Sequence, residues 1–203
     1  IYLMKNISNT QSDFENKQNS KIIFDYGGPN IGKPLHVGHM RTLNIGRSLY
    51  NIHSFIGNEV VSDIHLGDWG MPIAQIISYL EKEDMEIQNL DSSQLEVIYP
   101  KASEEYKQNK EFKTRAQEIN KLLNNNDQQL LQMWKLIKDV SIESLKENFE
   151  IFGHSFDYWL GESDVNKLIP EMIDKLLKDE KIIYDSGALI SAEDTDPKIL
   201  ITK

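Results

Sequence analysis

The stretch that decides the fold is KIIFDYGGPNIGKPLHVGH, residues 21–39. Its first six residues form an apolar run that ends at two glycines and Pro29, a pattern typical of a buried strand followed by a loop. Apolar residues then recur at three- and four-residue steps, so we expect a helix that begins near His36, ends before Gly57 and packs on a sheet. The stripe that should contact the sheet consists of Ile45, Leu49, Ile52 and Ile56.

The same order of elements repeats downstream. Residues 59–63 are a second strand candidate, followed by the loop HLGDWG at 65–70 and a helix predicted over 72–83. A repeated strand, loop and helix predicts an α/β fold with a Rossmann-like parallel sheet and right-handed crossovers. Because ligands bind at the carboxyl ends of the strands in such sheets, both loops are candidates for a site.

Changes in composition divide the chain into four segments. Residues 1–20 are polar, as expected of a linker or the end of a preceding domain, and residues 21–91 hold the first half of the sheet domain. Residues 92–150 form a long, charged segment without glycine, so we expect a helical hairpin inserted into that domain. Residues 151–203 are expected to continue the sheet domain.

Finer features are expected within the last two segments. The helical hairpin should turn at residues 124–127, where asparagine and aspartate cluster. A short aromatic stretch at 156–160 precedes a single helix predicted over 164–177. A β-hairpin over 182–190 should turn at residues 185–187.

Composition and charge limit the classes of function. The net charge is −10, with 32 acidic against 22 basic residues, so an autonomous nucleic-acid-binding module is not expected. The absence of cysteine excludes disulfides, thiolate nucleophiles and cysteine-ligated zinc. No run approaches the ~20 apolar residues of a membrane span, and we expect a cytoplasmic protein. The chain begins at Ile1 and ends in an apolar, strand-like run, so we expect both ends to be cut.

The loop and helix start after the first predicted strand form a candidate phosphate site. The N–H groups and the positive dipole end of a helix attract anions, with about half an elementary charge near the first turn. His36 and His39 lie three residues apart, so both imidazoles can donate hydrogen bonds to one phosphate group. Gly38 leaves room for a flat base against the backbone, and Lys33 adds a positive charge.

Other interpretations of the histidines fit the sequence less well. An H-x-G-H pattern arises by chance on the order of once in a hundred chains of this length, so incidental surface histidines explain it poorly. A metal site is disfavoured because no carboxylate lies in the same turn, and we predict no metal centre. His53 and His154 match no motif and are expected on a helix surface or in a loop.

Three blocks of the sequence carry a resemblance to a known family. HVGH at 36–39 resembles the HIGH signature of class I aminoacyl-tRNA synthetases, and DYGGPNIGKPLHVGH at 25–39 resembles its form in arginyl-tRNA synthetases. HLGDWG at 65–70 is similar to the block that follows in that family, and DYWLGESD at 157–164 is similar to a third block. The resemblance spans residues 21–203 and indicates a fragment of the class I catalytic core.

The resemblance implies an arginine–tRNA ligase. Such an enzyme joins the carboxylate of L-arginine to the α-phosphate of ATP, releases pyrophosphate and transfers the arginyl group to tRNA(Arg). ATP is then a substrate, and Mg²⁺ assists. His36 and His39 would be catalytic donors, Lys33 would assist the phosphates, and Val37 and Gly38 would complete the ATP site. The implied protein is a monomer without a membrane partner.

The resemblance also indicates where arginine binds. Recognition of a planar guanidinium favours a carboxylate in bidentate contact, and the resemblance assigns this role to Glu162 and the amino-acid head to Asn30. Gly28 stands where many relatives place serine, so a hydroxyl contact is missing or is supplied by backbone. His65 and Asp68 would form a wall of the site from the loop at a strand end.

Alternatives remain open at the level of residues and of function. Glu162 and Ser163 could merely start the following helix, and Trp69 could equally be core packing. The protein could instead be another class I aminoacyl-tRNA synthetase, an H-x-G-H nucleotidylyltransferase or a non-catalytic scaffold. The long insertion and the G-D-W-G block argue against the nucleotidylyltransferase.

The second class I signature, K-M-S-K or a variant, is absent from the sequence. The tyrosine and aspartate that the resemblance implies for the guanidinium pocket are absent as well. We therefore expect a catalytic domain truncated before the K-M-S-K region, which cannot form arginyl-tRNA by itself.

Overall fold

Parallel strands and long helices make up the first of two units in the computed structural model, which describes residues 20–192 and 199–202. The units divide between Glu162 and Ser163. The predicted linker lies, apart from residue 20, outside the described residues. The elements of the first unit are β1 (Lys21–Asp25), α1 (Val37–Phe55), β2 (Glu59–Asp63), α2 (Met71–Lys82), a 3-10 turn (Ile87–Asn89), α3 (Ser92–Gln108), α4 (Lys110–Asn124) and α5 (Gln128–Ile151).

The sheet confirms the predicted α/β fold. Strands β1 and β2 pair in parallel, with Lys21 opposite Glu59 and Asp25 opposite Asp63, and α1 connects them. The aromatic stretch before the third sequence block extends this sheet, because isolated parallel bridges join Asp63 to Tyr158 and Leu66 to Gly161. The prediction of a short aromatic segment missed this pairing.

Carboxylate hydrogen bonds fix the register of that added segment. The Asp157 carboxylate accepts hydrogen bonds from both the N–H and the hydroxyl of Ser62, each at 2.8 Å. The N–H of Leu160 donates to the Asp63 carboxylate at 3.1 Å. Side-chain acceptors thus supplement the few backbone bridges and hold the segment beside the end of β2.

The expected contact face of α1 is wrong. Three of the four predicted stripe residues are exposed over 56%, 43% and 55% of their surface, namely Ile45, Leu49 and Ile52. The buried residues of the helix are instead Leu43 and Gly46. A Cβ added at Gly46 would lie 2.1 Å from the Tyr26 ring, so the ring packs directly on the helix backbone. This close approach turns the large apolar side chains of α1 outward.

His154 lies in a loop, which is one of its two predicted positions, but it is buried rather than at the surface. It is only 7% exposed, and both of its ring nitrogens lack a hydrogen-bond partner in the described part of the chain. Burial, and then the positive charge of Arg47, lower the pKa of His154 below its ordinary value. Arg47 itself reaches from α1 to the carbonyl of Ser155 and over the Phe156 ring. The imidazole is therefore held neutral beneath α1.

The helical insertion has another break besides the predicted one. The expected turn at 124–127 is present, but Asn109 also separates α3 from α4. Its side-chain oxygen accepts the N–H groups of Glu111 and Phe112 at 2.9 and 3.2 Å, which satisfies the first turn of α4. The insertion is thus a group of three helices in the described region, rather than a hairpin.

The insertion and the sheet share one hydrophobic core. Helix α2 lies at its centre and contacts α3, α4 and α5. Ile73, Ile76 and Ile77 of α2 are at most 1% exposed, and they belong to the same cluster of buried side chains as Leu95 and Ile119 of the insertion. A change in α3, α4 or α5 can therefore be transmitted to the loops at the sheet edge by direct packing.

The second unit is a small helical and antiparallel segment. Its hairpin confirms the predicted turn, where Ser186 and Gly187 have φ values of 48° and 85°. The single helix predicted over 164–177 is broken, because Pro170 lies in the first turn of a new helix. The elements are the short helix α6 (Glu162–Val165), a 3-10 turn (Asn166–Leu168), α7 (Ile169–Lys178), β3 (Ile182–Asp185), β4 (Ala188–Ser191) and β5 (Ile199–Thr202). The sheet order is β3-β4-β5, with both pairs antiparallel.

Candidate active site

The loops that follow the parallel strands lie side by side at one edge of the sheet. The N–H of Gly28 donates to Ile64 at 3.1 Å, and Gly67 exchanges backbone hydrogen bonds with Pro29 and Ile31 at 3.0 and 3.1 Å. This edge is the carboxyl end of the strands, where ligands bind in parallel sheets. The sequence prediction of a shared site edge is therefore supported by the geometry.

The third sequence block joins the same edge. The N–H of Leu66 donates to the Leu160 carbonyl at 2.7 Å, and the N–H of Glu162 donates back to the Leu66 carbonyl at 3.1 Å. Glu162 is thereby the first residue after the added parallel segment, and its side chain is exposed. The loops containing Asn30, His65 and Glu162 are consequently neighbours.

Two glycines set how closely these loops approach each other. A Cβ added at Gly67 would lie 1.9 Å from the Asn30 side-chain oxygen, and one at Gly161 would lie 2.6 Å from the Asp68 carboxylate. A side chain at Gly67 would displace the exposed Asn30 side chain, and one at Gly161 would displace the buried Asp68 carboxylate. No separate role was predicted for Gly67 or Gly161, although they lie in the sequence blocks HLGDWG and DYWLGESD.

The two histidines meet at the start of α1. His36 is the N-cap residue, and its Nδ1 accepts the N–H of Gly38 at 3.1 Å. His39 lies in the first turn, and its Nδ1 accepts the N–H of His36 at 3.1 Å. The ring centroids are 4.1 Å apart. Because each Nδ1 is an acceptor, each ring when neutral carries its proton on Nε2, which leaves one N–H donor on each ring.

The environment of His39 favours its neutral form. Burial lowers its pKa from the ordinary value, and the nearby His36 and Lys33 lower the pKa further, against an opposing hydrogen bond with the His36 backbone. Lys33 lies with its Nζ 4.7 Å from the centroid of the Tyr99 ring. The sequence-predicted cation is therefore close to the histidine pair and also in contact with the insertion.

Two residues between the histidines have different surroundings. Val37 is 87% exposed. A Cβ added at Gly38 would lie 2.8 Å from Cε1 of His36, so the absence of a side chain gives the His36 ring its place against the backbone. The space predicted to receive a flat base at Gly38 is occupied by this ring in the described arrangement.

The five residues predicted to bind arginine differ in exposure. Gly28, Asn30 and Glu162 are exposed at the sheet edge. His65 is half-buried, and its Nδ1 lies 3.3 Å from the Asp63 carboxylate. Asp68 is completely buried, with its carboxylate 2.5 Å from Nζ of Lys138 on α5. Four of the predicted residues thus line the edge, and the carboxylate of Asp68 is directed to the insertion.

A tryptophan pair joins the second loop to the insertion. The rings of Trp69 and Trp134 lie edge to face with centroids 5.3 Å apart. Trp134 donates its indole N–H to the Asp68 carbonyl at 2.7 Å, and Trp69 donates to the Asn124 side chain at 2.9 Å. Trp69 therefore packs against the insertion, which favours the packing alternative. Trp134 and Lys138 were missed because nothing in their local sequence marks a partner more than sixty residues away.

Comparison with known proteins agrees with this geometry. The family model described as "tRNA synthetases class I (R), catalytic domain" matches residues 3–196. The chain belongs to the arginyl-tRNA synthetase family of class I catalytic domains. Among curated relatives, the arginine–tRNA ligase of Francisella tularensis subsp. novicida is 33% identical over 93% of this chain and 35% of its own length. That of Alkaliphilus oremlandii is 36% identical over 88% of this chain and 33% of its own length.

Solved structures of arginyl-tRNA synthetases share the fold. The Plasmodium falciparum enzyme superposes with a TM-score of 0.71 at 23% identity, covering 93% of this chain and 33% of that one. The Thermus thermophilus enzyme gives 0.63 at 16% identity, covering 96% and 36%. The chain therefore spans about a third of the length of the synthetases it matches.

Two kinds of feature are absent from the described residues of this synthetase domain. Over 20–192 and 199–202, no group of three or more histidine, aspartate or glutamate side chains is arranged to hold a metal ion. Within the same ranges, no helix combines the length and the apolar character needed to cross a bilayer.

Proposed function

We propose that this chain supplies the ATP-binding part of an arginine–tRNA ligase. The complete enzyme activates L-arginine with ATP, releases pyrophosphate and passes the arginyl group to tRNA(Arg). The observation that carries the proposal is the pair of imidazoles of His36 and His39 at the N-terminus of α1, where each ring accepts a backbone N–H through Nδ1. A helix start and two imidazoles together suit a phosphate group better than any other common ligand.

The first reaction step is an in-line displacement at phosphorus. A carboxylate oxygen of arginine attacks the α-phosphorus of ATP, and the bond to the bridging oxygen breaks as pyrophosphate departs with that electron pair. Negative charge then develops on the non-bridging oxygens, where His36 and His39 donate hydrogen bonds and Lys33 adds a positive charge. The chain thus acts by position and charge, without forming a covalent bond to the substrates.

Magnesium belongs to the nucleotide in this proposal. No metal-holding cluster of three or more acidic or histidine side chains occurs in the described ranges. We therefore expect Mg²⁺ to enter with the ATP phosphates. When bound, it would neutralise part of their negative charge.

Arginine binds along the same edge of the sheet. Glu162 pairs with the guanidinium, Asn30 contacts the amino-acid head, and the exposed backbone of Gly28 supplies a further polar contact. His65, held by Asp63, closes one side. Asp68 contributes through its ion pair with Lys138, because a completely buried carboxylate supports the loop from beneath. We also propose that the chain acts as a cytoplasmic monomer, in keeping with its lack of cysteine.

Titration of ATP into the chain tests the proposed site. His36→Ala should weaken ATP binding about ten-fold, which corresponds to the loss of one hydrogen bond to a charged group. His53→Ala is the matched control, because His53 lies near the other end of the same helix. Equal affinities of wild type and His36→Ala would contradict the role of His36.

Amino-acid specificity is tested in the longer protein. Pyrophosphate exchange should depend on arginine and should be lost when Glu162 is replaced by glutamine, because the neutral amide cannot pair with a guanidinium. Strong exchange with a different amino acid would overturn the assignment of arginine.

A further inference from the structure

The loop that carries Lys33 is fastened to the insertion by a buried hydrogen bond. The N–H of Gly32 donates to the hydroxyl oxygen of Ser141 on α5 at 2.9 Å, across 109 residues of sequence. Ser141 is 6% exposed, and its own hydroxyl proton is donated to the Ile137 carbonyl at 2.7 Å. Because that proton is committed within α5, the hydroxyl is oriented to accept from Gly32.

Gly32 is also confined on its other side. Its φ is +72°, which L side chains rarely adopt, and an added Cβ would lie 2.4 Å from the end of Ile76 on α2. The residue is buried, so removal of the Ser141 hydroxyl would leave its N–H without a protein acceptor. Nearby, a cavity of about 30 Å³ separates the loop from α3 and α5, so close packing does not hold the loop there.

The next residue contacts a second helix of the insertion. Nζ of Lys33 lies 4.7 Å from the centre of the Tyr99 ring on α3, a distance at which a cation is attracted to the ring face. Lys33 remains close enough to His39 to influence that imidazole electrostatically. The aromatic ring thus restricts the lysine to the neighbourhood of the histidine pair.

We propose that the helical insertion positions the loop that carries Gly32 and Lys33. Ser141 holds the backbone at Gly32, and Tyr99 holds the Lys33 side chain. Both are positioning residues, since they act on ATP through the loop. The inference rests on the proposed function and extends it, because it gives α3 and α5 a role in nucleotide affinity. ATP binding should therefore respond to substitutions in helices that touch no nucleotide.

The test compares two buried serines in the full chain. Ser141→Ala removes the acceptor, whereas Ser78→Ala is the control, because Ser78 is 2% exposed and its hydroxyl has no hydrogen-bond partner in the described ranges. Ser141→Thr keeps a hydroxyl and should restore the wild-type behaviour. The measurements are the amide hydrogen exchange of Gly32 and the Kd for ATP.

Ser141→Ala should accelerate exchange at Gly32 about ten-fold and raise the Kd for ATP roughly three- to ten-fold. Ser78→Ala should change neither quantity. Unchanged exchange at Gly32 in Ser141→Ala would overturn the inference, whatever the chain does with ATP. Absence of ATP binding by the wild type, together with accelerated exchange in Ser141→Ala, would instead overturn the proposed function and leave the loop attachment supported.

A second pair of variants tests the lysine contact. Tyr99→Leu should raise the Kd for ATP about three-fold, as expected for loss of one exposed cation–π contact. Tyr106→Leu removes a similar contact in the same helix, with Lys113 at 5.6 Å, and should leave the Kd unchanged. Equal effects of the two variants would show that Tyr99 has no specific influence on the loop.

Discussion

The imidazoles of His36 and His39 each accept a backbone N–H through Nδ1, so one nitrogen of each ring helps to cap α1 and Nε2 is left for another partner. A substitution at either position can therefore alter the stability of the helix as well as the binding of a phosphate. The two effects can be separated because asparagine is also a good N-cap residue. Its short amide cannot reach as far as Nε2 of a histidine.

His36→Asn should separate capping from ATP binding. We expect its free energy of unfolding to stay within about 0.5 kcal/mol of wild type, whereas His36→Ala should lose about 1 kcal/mol. Both variants should bind ATP about ten-fold more weakly. Urea denaturation and ATP titration of the same preparations measure the two quantities. Wild-type ATP affinity in His36→Asn would show that only the cap matters.

His154→Leu should raise the free energy of unfolding and reduce the amount by which it falls at low pH. The pKa of His154 is lowered below its ordinary value of 6.5, so the unfolded chain binds a proton at a higher pH than the folded chain. Stability therefore falls as the pH drops through 6.5 toward the lowered folded value, and below that value this residue contributes no further loss. His39 contributes in the same sense.

Leucine removes two buried nitrogens without partners, which should add about 1 kcal/mol at neutral pH. Urea denaturation at about pH 7.5 and about pH 5.5 gives the comparison. The variant should lose less stability than wild type between these values. An equal or larger loss would contradict the assignment of a buried, neutral imidazole.

Gly161→Ala tests how closely the third sequence block, at 157–164, approaches Asp68. The added Cβ would meet the Asp68 carboxylate at 2.6 Å and would disturb its buried ion pair with Lys138. We expect a loss of about 3 kcal/mol or more in the free energy of unfolding. Gly153→Ala serves as the comparison, because its φ of +70° costs about 1 kcal/mol but its Cβ meets no atom within 4 Å. Equal losses would show that the contact with Asp68 is not tight.

Among the helices and strands, the sequence predicted correctly those elements whose ends are marked by glycine or proline. The ends of β1 and α1 are marked by Gly27, Pro29 and Gly57, and the β-hairpin turn by Gly187. The break at Asn109 has no glycine or proline, and it depends on a capping geometry that the sequence does not show. The parallel segment near Tyr158 was missed because its pairing depends on the Ser62 and Asp157 contact, 95 residues apart.

The junction at Asn109 makes a direct prediction about the insertion. Asn109→Ala should lower the free energy of unfolding by about 1 kcal/mol, because two N–H groups of α4 lose their acceptor. Asn109→Ser keeps a side-chain oxygen acceptor, without the like-charge repulsion that an aspartate would have with Glu105, and should lose less stability than Asn109→Ala. Thermal unfolding followed by circular dichroism measures both. Equal stability of wild type and Asn109→Ala would contradict the capping role.

For the chain as a whole, the prediction that failed is the one that the apolar stripe of α1 contacts the sheet. Its helical period was correct, but the direction of the stripe depends on the Tyr26 ring at Gly46, which pattern alone cannot reveal. The loop convergence at the sheet edge was predictable because parallel sheets bind ligands there. The contacts of Asp68 and Gly32 with α5 were not, since both partners lie far away in sequence.

The exposed face of α1 should limit the solubility of the isolated chain. Contiguous apolar side chains at Ile45, Leu49 and Ile52 form the kind of patch that promotes association. The double variant Ile45→Lys/Ile52→Lys should change stability by no more than about 0.5 kcal/mol and should remain monomeric at higher concentration. Light scattering measures this, and Val97→Lys, at a 54% exposed position on α3, is the control. Equal improvement by the control would contradict a specific effect of α1.

Everything proposed for this chain depends on whether the start of α1 binds the phosphates of ATP. The most direct measurement is a crystal structure of the chain with a non-hydrolysable ATP analogue. We predict that the α-phosphate lies within hydrogen-bonding distance, about 3 Å, of Nε2 of both His36 and His39. A nucleotide bound away from the start of α1, or phosphates directed away from both imidazoles, would contradict the account.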